Sequence, residues 1–119
     1  MSVLTIGKRW EHDWVDDVDV LALGEGVQVK VMYRDDDAGL INMLIKFPAG
    51  YVEPEHTHDA EHSGVVLEGV QIVDGISLHP GDTLHAPANV PHGPFSYPEG
   101  CVLFTSFRGK SALHSFEGK

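Results

Sequence analysis

The stretch Gly50-Tyr-Val-Glu-Pro-Glu-His56-Thr-His58-Asp-Ala-Glu-His62-Ser-Gly-Val-Val-Leu-Glu-Gly69 decides how the chain is read. In an extended strand, residues i and i+2 point to one face, so His56 and His58 project into one space. There they are close enough to share a metal ion at about 2.0–2.2 Å per bond. His62 keeps the same parity if the strand runs on regularly. Glu61 is one residue out of register and reaches that space only through a bulge, so parity ranks His62 ahead of it. An isolated His-x-His pair is as often solvated as ligating, and the surrounding sequence has to separate the two.

Outward from that stretch, six of the eight histidines (His56, His58, His62, His79, His85 and His92) fall within 37 residues. From Phe47 to Phe107 there is no Lys or Arg, while Glu53, Glu55, Asp59, Glu61, Glu68, Asp74, Asp82 and Glu99 are all present. Imidazoles without basic competitors suit a bound cation, whereas phosphate or carboxylate ligands normally call for Arg or Lys. The whole chain carries 8 Lys plus Arg against 18 Asp plus Glu, a formal charge of -10, which leaves no basic footprint for nucleic acid or an anionic membrane.

Strand signals dominate the rest. Val27 to Tyr33 alternates with period two, Leu40 to Phe47 is a mostly apolar run, and Ser63 to Val73, Thr83 to Ala86 and Cys101 to Phe107 are shorter stretches of the same kind. Turn residues separate them, including Asp35 to Gly39, Asp74-Gly75 and His79-Pro-Gly-Asp82. Short strands punctuated this often predict an all-β barrel or sandwich, and 119 residues predict one domain spanning 1–119. Trp10 to Leu23 reads as a helical turn or an edge strand. Without a signal-peptide pattern or a long apolar run, the expected location is the cytoplasm.

A second spaced pattern follows the first. Gly81, five residues, Pro87-Ala-Asn89, two residues, His92, three residues and Ser96 come after Gly50, five residues, His56-x-His58, three residues, His62, six residues and Gly69. Together these resemble the two motifs of the cupins, small β-barrels with a metal at the centre. His62 stands where the family usually has Glu, Asn89 stands for Gly, and Ser96 stands for Asn. Asn is the residue that best replaces Gly where the backbone needs a positive φ. The segment Pro91 to Phe104 resembles the ChrR-like subgroup, which includes the metal-binding domain of an anti-sigma factor and relatives of β-diketone dioxygenases. The resemblance implies a cupin double-stranded β-helix, or jelly-roll barrel, with metal motifs at 50–69 and 81–96. It also implies a homodimer.

The expected metal ligands are His56, His58, His62 and His92, holding one divalent transition ion. All-nitrogen donors argue against Mg²⁺ and Ca²⁺ and leave Fe(II), favoured by the resemblance, with Zn, Ni, Co, Cu or Mn. Four neutral ligands leave the ion its charge. That suits a small, oxygen-rich substrate that becomes an anion on binding, an enolisable diketone or phenolic ketone, and with the subgroup resemblance the expected function is a non-haem dioxygenase acting on it. The alternatives are a metal-dependent isomerase, cyclase or lyase that works without O₂, and a non-catalytic binding module. No catalytic residue is assigned. The candidates are His85, Glu55 and Glu61: Glu53 and Glu55, flanking Pro54, read as solvated loop acids with a base at the pocket mouth as the alternative, and His85 reads as a structural or surface residue with proton transfer as the alternative. Cys101 reads as a small buried hydrophobe, His12, His79 and His114 as surface or turn residues, and Trp10 and Trp14 as caps on the barrel or contacts with a partner.

Overall fold

A computed structural model describes residues 4–17, 21 and 23–109. One turn of 3-10 helix at Arg9–Glu11 is followed by ten strands: β1 (Val15–Asp16), β2 (Gln28–Asp35), β3 (Leu40–Phe47), β4 (Tyr51–Glu53), β5 (Glu61–Gly69), β6 (Gln71–Val73), β7 (Ile76–Leu78), β8 (Thr83–Ala86), β9 (Phe95–Tyr97) and β10 (Cys101–Arg108). Six strands in the order β1-β2-β3-β10-β5-β8 form one sheet and β4-β9-β6-β7 form the other, with every pairing antiparallel. The two sheets form the all-β jelly-roll architecture that the resemblance implies. Trp10 to Leu23 carries both the helical turn and the edge strand. Residues 18–20 and 22 of that stretch lie outside the described residues.

Alternation sorts the side chains. On β3, Ile41, Met43, Ile45 and Phe47 are buried, and their partners on β10, Cys101, Leu103, Thr105 and Phe107, are buried with them. Residues two apart share a face, so each strand gives the barrel one apolar row and leaves the other row outside. β5 keeps His62, Gly64 and Val66 in phase with that interior. A bulge opposite Val102–Leu103 leaves Leu67 without a partner and restores the register at Glu68.

Ser63 to Val73 is divided between β5 and β6. At Gly69 the backbone turns to φ +79 and the chain passes from the larger sheet into the smaller. A Cβ at Gly69 would lie 2.2 Å from the Gly100 carbonyl oxygen, so only glycine allows the two turns to approach. Asn89 has φ 62, the left-handed conformation that its place in the second motif predicts. The short strands β4, β7 and β9 are not visible as hydrophobic runs, because three residues are too few to show a period.

Candidate metal centre

His56 and His58 do not lie in a regular strand. β4 ends at Glu53, and the segment from Pro54 to Ala60 is irregular except for an isolated bridge between His56 and His92. In that bridge His56 N–H donates to His92 O and His92 N–H donates to His56 O, both at 2.9 Å, while Asn89 N–H donates to His58 O at 2.8 Å. The two motifs are thus tied backbone to backbone. Parity reaches the right face here by a route other than a continuous strand.

The rings meet inside the barrel. His56 lies 4.6 Å from His58 and 4.5 Å from His92 between ring centroids, and the His58–His92 distance is 4.9 Å. One nitrogen from each of these three rings falls within 4.8 Å of the others, so His56, His58 and His92 are positioned to bind a metal ion. His62, on β5, is buried at 7% exposure with its ring 4.9 Å from His58 and 5.3 Å from His92. Phe107 backs the group, with its ring centroid 5.7 Å from that of His58 and 4.8 Å from that of His62.

Hydrogen bonds set the tautomers. His56 Nδ1–H donates to the Pro54 carbonyl at 2.7 Å and His92 Nδ1–H donates to the Val90 carbonyl at 2.9 Å, so in each neutral ring Nε2 carries the lone pair. His92 Nε2 and His62 Nδ1 are buried and have no hydrogen-bond partner. Buried polar atoms are nearly always satisfied, and two orphaned imidazole nitrogens in one cluster suit a cation that accepts their lone pairs. Burial, followed by the neighbouring His92 and His56 rings, pushes His62 down to about 3, which keeps it neutral as a ligand must be. The donor set fits a borderline transition ion.

Glu53 overturns its reading as a solvated loop acid. It is 6% exposed, with Oε2 3.0 Å from His56 Nε2 and Oε1 accepting from the Tyr97 hydroxyl at 3.5 Å. Gln71 Nε2–H in turn donates to the Tyr97 oxygen at 3.1 Å. Burial pushes the Glu53 carboxyl up to about 8, and the Tyr97 hydrogen bond pulls it partly back. Burial and the neighbouring Glu53 also raise Tyr97 well above the ordinary phenol value. Glu53 comes from β4, Gln71 from β6 and Tyr97 from β9, three adjacent strands of the smaller sheet. Only long-range pairing brings them together. The local signal that pointed inward was the shared parity of Tyr51 and Glu53, and Pro54 masked it.

All of these side chains except His92 line a central cavity with about 40 Å³ open to the centre of a water molecule. Leu84, Leu103, Phe95 and Phe107 supply apolar wall, and Thr105 adds a hydroxyl-bearing side chain. Gly64 leaves the space open, since a Cβ there would sit 3.3 Å from Thr105 Oγ1.

The three residues first considered for catalysis lie elsewhere. Glu55 is exposed. Glu61 and His85 stand on the outer face of the larger sheet, where His85 Nδ1 is 2.8 Å from Ser63 Oγ, His85 Nε2 is 3.7 Å from Glu61, and Arg108 reaches Glu61 at 3.4 Å. Trp10 is 77% exposed, and Trp14 lies under the Lys30 ammonium at 4.8 Å, so both tryptophans belong to the outside of the barrel. Cys101 is buried at 5% exposure, as its apolar setting predicts. His114 lies outside the described residues.

Comparison with known proteins agrees with this fold. The chain is 32% identical over 99 residues to the pectin degradation protein KdgF of Dickeya dadantii, covering 76% of this chain and 84% of that one. The structure of KdgF from Halomonas sp. superimposes with a TM-score of 0.69 at 26% identity, over 90% of this chain and 96% of that one. An acetylacetone dioxygenase from Acinetobacter johnsonii superimposes with a TM-score of 0.64 over 92% and 80% of the chains, but at 14% identity it shares the fold alone. The family model of the ChrR cupin-like domain matches residues 13–111, which span both histidine motifs and both sheets, and the chain belongs to that cupin family.

Proposed function

We propose that the chain is a metal-dependent enzyme that moves a proton on a small hydroxycarbonyl or diketone substrate. In this reading His62 joins His56, His58 and His92 as the fourth ligand of one divalent ion. The observation that carries the reading is the buried carboxyl of Glu53, set against His56 and Tyr97 in the wall of the same cavity. A divalent ion held by neutral imidazoles would polarise a carbonyl and stabilise the enolate formed from it. In this reading Glu53 takes or returns the proton at carbon, and the Tyr97 hydroxyl, itself held by Gln71, orients its carboxyl. The apolar wall excludes bulk water from the exchange.

The test is exchange of the substrate's C–H for deuterium in D₂O under anaerobic conditions, by Zn²⁺-loaded protein and by its Glu53→Gln variant. The expected result is metal-dependent exchange that falls by ~100-fold or more in the variant. Exchange that persists in Glu53→Gln would remove Glu53 from the mechanism. The all-nitrogen donor set favours a second reading, a dioxygenase of enolisable diketones. Under it, Fe(II)-loaded protein consumes O₂ with such a diketone, and the Zn²⁺-loaded protein exchanges no deuterium.

A further inference from the structure

We infer that the barrel takes hydroxycarbonyl or diketone compounds whose body away from the metal is uncharged, and turns away those carrying a remote carboxylate or phosphate. The inference rests on the proposed metal-bound substrate and adds its charge class. Each of the six described cations is turned away from the cavity or committed outside it. Lys8 pairs with Glu11, Arg34 with Asp36 and Arg108 with Glu61, all at exposed positions. Arg9 pairs with Glu68, Lys30 Nζ donates to the Arg9 carbonyl at 2.7 Å, and Lys46 stands over the Trp14 ring at 5.5 Å.

Among the described residues, none that lines the cavity is Lys or Arg. The polar wall beside His56 is Glu53, Tyr97 and Gln71, in which Gln71 donates one N–H to Tyr97 and Tyr97 donates to Glu53. A carboxylate on the metal is compensated by the ion. A second one would face Glu53 and an apolar wall with no Lys or Arg among the described residues to pair with, and an unpaired buried charge is strongly disfavoured. Hydroxyl and carbonyl oxygens fit that wall, since they can share its hydrogen bonds without bringing charge.

The experiment is calorimetric binding of 5,7-dioxooctanoate, whose carboxylate is three methylenes from the diketone, and of its methyl ester to the full chain loaded with Zn²⁺. The two share one chelating diketone and differ by one remote charge. In ~0.5 M NaCl the repulsion from the chain's surface acids is screened, so the comparison reads the cavity. The expected result is an ester affinity at least ~10-fold higher than that of the acid. An acid that binds as tightly as the ester, or tighter, overturns the inference, and so does failure of both to bind. The proposed proton transfer fails separately, through absence of Zn²⁺-dependent deuterium exchange, whichever way the two affinities fall.

Discussion

Glu61 and His62 are neighbours on β5, yet they face different media. Outside, Glu61, Ser63, His85 and Arg108 form a loose cluster in which Glu61 and His85 keep about half of their side-chain surface exposed. Inside, His62 and Glu53 bring the same two residue types into a water-poor wall, where burial pushes the imidazole down to about 3 and the carboxyl up to about 8. Glu53 there contacts a different histidine, His56. The difference teaches that a histidine and an acid within reach are not by themselves a site. Desolvation commits each inner group chemically, and solvation leaves the outer pair a surface feature worth little energy.

The sharpest way to stress that contrast is to remove what holds the inner face dry. Phe107→Ala deletes the ring packed on His58 and His62 and is expected to cost about 3–5 kcal/mol by denaturant titration, with weakened metal retention. Arg108→Ala, one residue away on the outer face, is expected to cost less than about 0.5 kcal/mol. If the two cost the same, the division between faces is wrong.

Cys101 is the next probe, because burial pushes its thiol up to about 12. At pH 8 alkylation in the folded protein is expected to be ~1,000-fold slower than in the unfolded chain, following the loss of thiolate. Labelling at the unfolded rate would mean that the inner end of β10 is open to solvent. His58→Ala, which removes one of the three clustered ligands, is expected to weaken metal binding by ~100-fold or more in a competition assay with a chelator. The smallest expected effect belongs to the outer pair: His85→Ala is predicted to leave metal affinity within about twofold and stability within about 0.5 kcal/mol. A large loss of metal in His85→Ala would join the two clusters that the barrel wall separates.

Local sequence carried the parts of this architecture that depend on local rules. The alternation in Leu40–Phe47 and Cys101–Phe107 reads directly as strands, and the spacing of His56, His58 and His92 between turn residues reads as a metal motif. Asn89 was legible too, because a positive φ selects few residue types. The smaller sheet was much less legible. β4, β7 and β9 have three residues each, and their existence depends on partners distant in sequence, as when Glu53 pairs with Phe95. Glu53, Gln71 and Tyr97 therefore escaped notice as a group, since their meeting is set by sheet order and not by any spacing along the chain. His85 went the opposite way. Its residue type suggested chemistry, and its partner Ser63 on β5 shows that it faces out.

The most direct test of the account is elemental analysis of the purified wild type beside its His62→Ala and Glu61→Ala variants. The account predicts about one transition ion per chain in the wild type and in Glu61→Ala, and a marked loss in His62→Ala. Unchanged metal in His62→Ala, with loss in Glu61→Ala, would contradict it.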